Sequence, residues 1–195
     1  MRRIIFIFAA LLIASAAHAH VGVGDTYGFV HGFAHPISGI DHILGMVAVG
    51  LFAAHLGGRA LYLVPLSFVV MMSVGGMLGV MGVPLPFGEA GIGLSVVIFG
   101  IAVASGLNLP LAAAMALVGF FAVFHGHAHG TEMPELASAL AYSSGFVVAT
   151  AAIHVVGISI GLAIGMLGSR YGDRGVRAAG SAVALVGVAI LAGYV

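Results

Sequence analysis

The chain has 195 residues, 62% of them hydrophobic, with six basic side chains, all arginine, and six acidic ones. A soluble domain devotes roughly a quarter of its residues to charge, so this composition excludes one and describes a membrane protein. Zero net charge without lysine argues against nucleic acid, and the absence of cysteine excludes disulfides and thiolate-held zinc or iron–sulfur clusters.

Arg2 and Arg3 precede the apolar stretch IIFIFAALLIASAA, which is shorter than the roughly 20 residues a span requires. The small residues of AHA at 17–19 then offer a cleavage site, so residues 1–19 read as a signal peptide and His20 becomes the first mature residue. An uncleaved signal anchor is the alternative. Six apolar segments follow, at 37–57, 60–82, 88–106, 109–125, 136–167 and 175–194, separated by breaks rich in glycine, proline and polar residues. Residues 20–195 are therefore expected to form one all-α transmembrane domain of six helices. A cleaved signal starts that domain outside, and Arg59, Arg170, Arg174 and Arg177 then all fall in cytoplasmic loops, as the positive-inside rule requires. N-out, C-out topology follows, in a bacterial inner membrane. Asp25, Glu89, Glu132 and Glu135 fall on the external side.

Ten histidines carry most of the remaining chemistry. The first cluster is HGFAHPISGIDH, residues 31–42. Pro36 suits the first turn of a helix, which sets His35 at the start of span 1 with Asp41 and His42 one to two turns deeper. In a continuous helix His35 and His42 would share a stripe. An ionisable pair at that depth is costly unless partnered and marks a functional site by default. A divalent cation would supply the partner, with Asp41 either a direct ligand or an acceptor that orients an imidazole.

The second cluster is FHGHAHGTE, residues 124–132. If the helix continues through it, His125, His129 and Glu132 share one face, and His127 points the other way. Histidines four apart are a recurrent metal-binding geometry. His20, with a free amine beside its ring, and His31 and His127 are further candidates. His55, near the cytoplasmic end of span 1, reads as an interfacial or interhelical hydrogen-bonding group. In span 5, Ser143, Thr150, His154, Gly157 and Gly161 form one stripe, either a lining for a cation with His154 as relay or a small-residue packing face. The nine methionines, scattered along the chain, read as packing.

At HPISGIDH and FHGHAHGTE the sequence resembles the HupE/UreJ family of nickel/cobalt permeases. The family's pattern of histidine, five residues, then Asp-His falls on His35, Asp41 and His42. Its Phe-His-Gly-x-Ala-His-Gly-x-Glu pattern falls on Phe124, His125, Gly126, Ala128, His129, Gly130 and Glu132. The resemblance implies uptake of Ni²⁺, or of Co²⁺, for hydrogenase or urease assembly. The residues by themselves reach only a divalent-cation site of imidazole and carboxylate, which suits nickel, cobalt and zinc.

The expected function is thus a permease whose metal is bound transiently as cargo, with no resident cofactor and no catalytic residue. Its partners are the metal ion and the lipid bilayer. The chain has no Walker A pattern for ATP, and its small-residue faces permit a homo-oligomer. The competing reading is an intramembrane zinc-dependent hydrolase, in which histidine-held zinc activates water.

Overall fold

The computed structural model describes residues 25–134 and 138–194. The expected signal peptide, His20 and Glu135 lie outside them. Among the described residues there are seven helices and no strand: α1 (Asp25–Ser38), α2 (Ile40–Leu56), α3 (Ala60–Val80), α4 (Gly88–Ser105), α5 (Leu111–Thr131), α6 (Ala139–Gly165) and α7 (Ser169–Leu191). Helices α3 to α7 are each long and apolar enough to cross a membrane, and α1 with α2 supplies a sixth crossing if the two count as one broken span. The protein is a multi-pass membrane protein.

The first span departs from expectation. Residues 37–57 do not form one helix, because α1 and α2 meet at Gly39 with an 81° bend. Pro36 lies in the last turn of α1, not the first turn of the span. A proline there cannot donate to the preceding turn, and α1 stops two residues later with Ser38 Oγ donating to the His35 carbonyl at 2.7 Å. Helix α1 escapes a search for apolar periodicity because its buried stripe is Gly28, Gly32 and Pro36, whereas Phe29, Val30, Phe33 and Ile37 are exposed. Its glycines lie directly against α6. A Cβ on Gly32 would strike the Tyr142 carbonyl, and one on Gly145 would strike the Phe29 carbonyl.

Helix α2 is the hub, touching α1, α3, α4, α6 and α7. Its buried residues, Gly45, Met46, Ala48, Val49, Gly50, Leu51, Phe52 and Ala53, run almost all round it, the pattern of a helix surrounded by protein. Around it α3 packs most closely on α5, α4 on α7, and α6 on α1 and α2. Lipid tails are as apolar as leucine, so such pairs depend on close van der Waals contact and small residues at the crossing. In the α3–α5 pair the small residues are Gly75 and Gly79 on one helix and Gly126 and Gly130 on the other, each facing a backbone carbonyl of its partner. Gly57 and Gly106 close α2 and α4 at φ of 67° and 66°, values that glycine adopts without steric cost.

The helices alternate in direction, which gives the bundle two chemically distinct ends. One collects His35, Asp41, His42, Glu89, His125, His129 and Glu132. The other holds His55, Arg59, Asp173, Arg174 and Arg177.

Gly75→Val tests the α3–α5 contact, since its Cβ alone would stand 2.9 Å from the Val123 Cα. Overpacking of this kind is expected to remove about 1–3 kcal/mol, read as a lower melting temperature of the purified protein in detergent. An unchanged melt would contradict the close approach.

Candidate metal-binding site

Helix α5 continues to Thr131, six residues past the expected end of its span, so the whole HGHAHGT stretch is helical and Glu132 caps it. Gly126 and Gly130 press against the Met72 and Gly76 carbonyls of α3. That contact fixes the rotation of α5 and directs His125 and His129 toward α1 and α2. His42, in the first turn of α2, has its ring centroid 4.9 Å from that of His125 and 4.3 Å from that of His129. His35 comes from α1, with its centroid 4.6 Å from His129. Four imidazoles from three helices are thereby contiguous. His125 and His129 are 0% and 2% exposed, whereas His35 and Glu132 sit at the open side, with His35 Nε2 2.9 Å from Glu132 Oε2.

The hydrogen bonds set the ring protons. Asp41 Oδ1 accepts from the His42 backbone N–H and lies 2.8 Å from His42 Nδ1. A carboxylate accepts, so Nδ1 carries the proton and Nε2 keeps its lone pair. Ser95 donates its hydroxyl to the Ile92 carbonyl at 2.6 Å, which leaves its oxygen to accept from His125 Nε2 at 2.8 Å. His125 Nδ1 is then the bare nitrogen. Among the described residues, His42 Nε2, His125 Nδ1 and both nitrogens of His129 are buried without a hydrogen-bond partner. Buried polar atoms are normally paired, and a bare imidazole nitrogen is a donor that a divalent transition-metal cation accepts. One ligand atom each from His35, His129 and Glu132 also lie within 4.8 Å of one another.

Three glycines clear the space. A Cβ on Gly45 would stand 3.3 Å from His125 Cε1, and one on Gly39 would stand 2.7 Å from Asp41 Oδ1. The bend at Gly39 also invalidates the shared stripe expected for His35 and His42, since the two lie on different helices and meet through His129. Gly126 is the third, as the seat of α3 against α5.

The remaining candidates fall apart from this group. His127 points away, as its spacing indicates, and donates from Nε2 to the Val83 carbonyl at 2.7 Å, which ties α5 to the end of α3. His31 is exposed on α1. His154 is buried deeper, against Phe68. Along the α6 stripe, Thr150 bonds Met72 Sδ, while Gly157 packs against Gly50 and Val47. Close packing therefore describes Gly157. His55 is half-buried at the opposite end of the bundle, and its Nε2 has no hydrogen-bond partner among the described residues.

Three further features escaped sequence reasoning. Ser95 is one hydroxyl in an apolar span, and nothing in GLSVV marks it as the partner of a histidine 30 residues away. Glu89, placed by sequence only on the external side, shares with Asp41 a cavity of about 440 Å³ at the histidine end. The methionines also are less scattered than they look in sequence, since Met72, Met77, Met81 and Met133 line one cleft that reaches His129.

Comparison with known proteins bears on the whole chain. The profile of the family described as HupE / UreJ protein matches residues 8–190. Protein HupE of Rhizobium leguminosarum bv. viciae is 46% identical over 188 residues, which cover 95% of each chain. No solved structure matches.

The proton assignments are open to ¹⁵N NMR of histidine-labelled protein. His42 is expected as the Nδ1–H tautomer and His125 as the Nε2–H tautomer, and Asp41→Ala should release the first while leaving the second. A His42 signal unmoved by Asp41→Ala would contradict the assigned bond.

Proposed function

The chain belongs to the HupE/UreJ family, and from that premise we propose that it is a permease carrying divalent transition-metal cations across the inner membrane, Ni²⁺ first and Co²⁺ second. The observation that carries this reading is the convergence of buried imidazoles with bare nitrogens, His42, His125 and His129, beside the His35–Glu132 pair. A carrier needs a place where the ion can exchange water for protein ligands, and neutral imidazole with carboxylate oxygen suits nickel and cobalt better than magnesium or copper(I).

In the proposed path the cation meets carboxylates first. Glu132 with His35, and the cavity between Glu89 and Asp41, offer negative charge at the surface. The ion then passes to His129, His42 and His125. Asp41 and Ser95 each engage one nitrogen of those rings and leave the other free, a role that buried partners of metal-binding histidines commonly fill. Such a site must bind moderately, because an ion enclosed by too many ligands would be stored and not passed on. The arginine end supports an orientation with the histidines facing the periplasm, since Arg59, Arg174 and Arg177 belong in the cytoplasm by the positive-inside rule. The delivered ion would serve hydrogenase or urease maturation. In this reading the protein is a carrier and not an enzyme.

His42→Ala and His129→Ala are each expected to lower nickel accumulation at limiting external metal to the vector level, at matched amounts of protein in the membrane. Ser95→Ala should keep transport but weaken nickel binding by about 10- to 100-fold, the usual cost of losing a ring-orienting partner. Equilibrium dialysis of purified protein against radioactive nickel reads the second effect. Normal accumulation by both histidine variants would sink the proposal.

A further inference from the structure

The histidines at the surface end do not account for every bare imidazole in the bundle. His154, on α6, is 1% exposed, and neither of its ring nitrogens has a hydrogen-bond partner among the described residues. His55 Nε2, in the last turn of α2, is buried and unpartnered in the same way. An apolar residue would fill either place without leaving a polar atom unpaired, so the choice of imidazole calls for a ligand.

Their positions continue the line of the first cluster. The Phe68 ring is 5.4 Å from the centroid of His125 and 5.0 Å from that of His154, so one side chain contacts both an outer histidine and the inner one. About 10 Å further along α6, at 1.5 Å rise per residue, Gly161 lines a cavity of about 610 Å³ at the arginine end. His55, Asn108, Asp173 and Arg177 lie in the same wall. Arg177 is tethered there by donating to the Ser105 carbonyl at 2.7 Å.

We infer that His154 and His55 form the inner half of the cation's route, with His154 a transit ligand below Phe68 and His55 a ligand at the wall of a release cavity. The inference rests on the permease reading above, and the cargo is the same divalent transition-metal ion. The donor set thins along the path. Several imidazoles at the outer cluster give way to one at His154, then to one imidazole with amide and carboxylate oxygen and water in the cavity. Falling nitrogen donation lets the ion leave, and the Arg177 guanidinium in the same wall disfavours its return. Gly161, without a side chain, lets α6 pack against α2 at the cavity wall, where a Cβ would stand 2.7 Å from the Ala54 Cβ.

The chain has no cysteine, so one introduced thiol reports on its own position. His154→Cys and His55→Cys are treated in native membranes with a small charged methanethiosulfonate reagent, with and without Ni²⁺. Nickel uptake is followed in parallel for the unsubstituted chain and for His154→Ala. Both thiols should react, and nickel should slow the reaction at position 154 several-fold. His154→Ala should lower the maximal uptake rate at least about tenfold while its half-saturating nickel stays within about twofold, because the outer cluster is intact. An unreactive thiol at position 154 would show that no aqueous route reaches it and would overturn the inference. So would a thiol that nickel fails to protect, or a wild-type maximal rate in His154→Ala. Failure of the unsubstituted chain to accumulate nickel would instead overturn the permease reading on which the inference stands.

Discussion

Imidazole nitrogen without a partner is expensive inside a protein, and more so in a bundle surrounded by lipid, whose hydrocarbon offers no hydrogen bond. His42, His125 and His129 carry such nitrogens, and the ring centroid of His42 stands 4.9 Å from that of His125 and 4.3 Å from that of His129. The surrounding structure keeps them bare. Asp41 fixes the proton of one ring and Ser95 that of another, each leaving the opposite nitrogen free. In the proposed function a bound cation relieves that cost.

Glycine provides the geometry. The histidine motif carries Gly126 and Gly130, whose absence of side chains lets α3 approach α5 at backbone distance and sets the rotation of the helix that bears His125 and His129. Gly39 and Gly45, at the start of α2, leave room instead for side chains, where a Cβ would stand 2.7 Å from Asp41 Oδ1 and 3.3 Å from His125 Cε1. Substituting these glycines would move the histidines without altering any of them. Local helix propensity loses about 1 kcal/mol at each such glycine relative to alanine. Close interhelical contact offsets that loss in a membrane, where burial of apolar surface gives little.

Much of this was legible beforehand, for definite reasons. Long apolar runs and their glycine and proline breaks show five of the crossings, because lipid imposes a length and a composition on each. His35, His42, His125, His129 and Glu132 stand out because polar residues are rare in this chain, and the fold brings them together. Helix α1 was not legible, since its buried face is Gly28, Gly32 and Pro36, residues that read as a break when seen in one dimension. The bend at Gly39 followed the same misreading of Pro36. Ser95 was hidden for another reason. A hydroxyl gains meaning only from what lies opposite it, and His125 reaches it from a helix 30 residues away.

X-ray absorption at the nickel edge tests the account most directly, on purified protein loaded with one equivalent of Ni²⁺. The account predicts a nitrogen- and oxygen-bound ion with the multiple-scattering pattern of at least two imidazole rings, reduced in His42→Ala and His129→Ala. A spectrum of hydrated nickel without ring scattering, unchanged by either substitution, would contradict it.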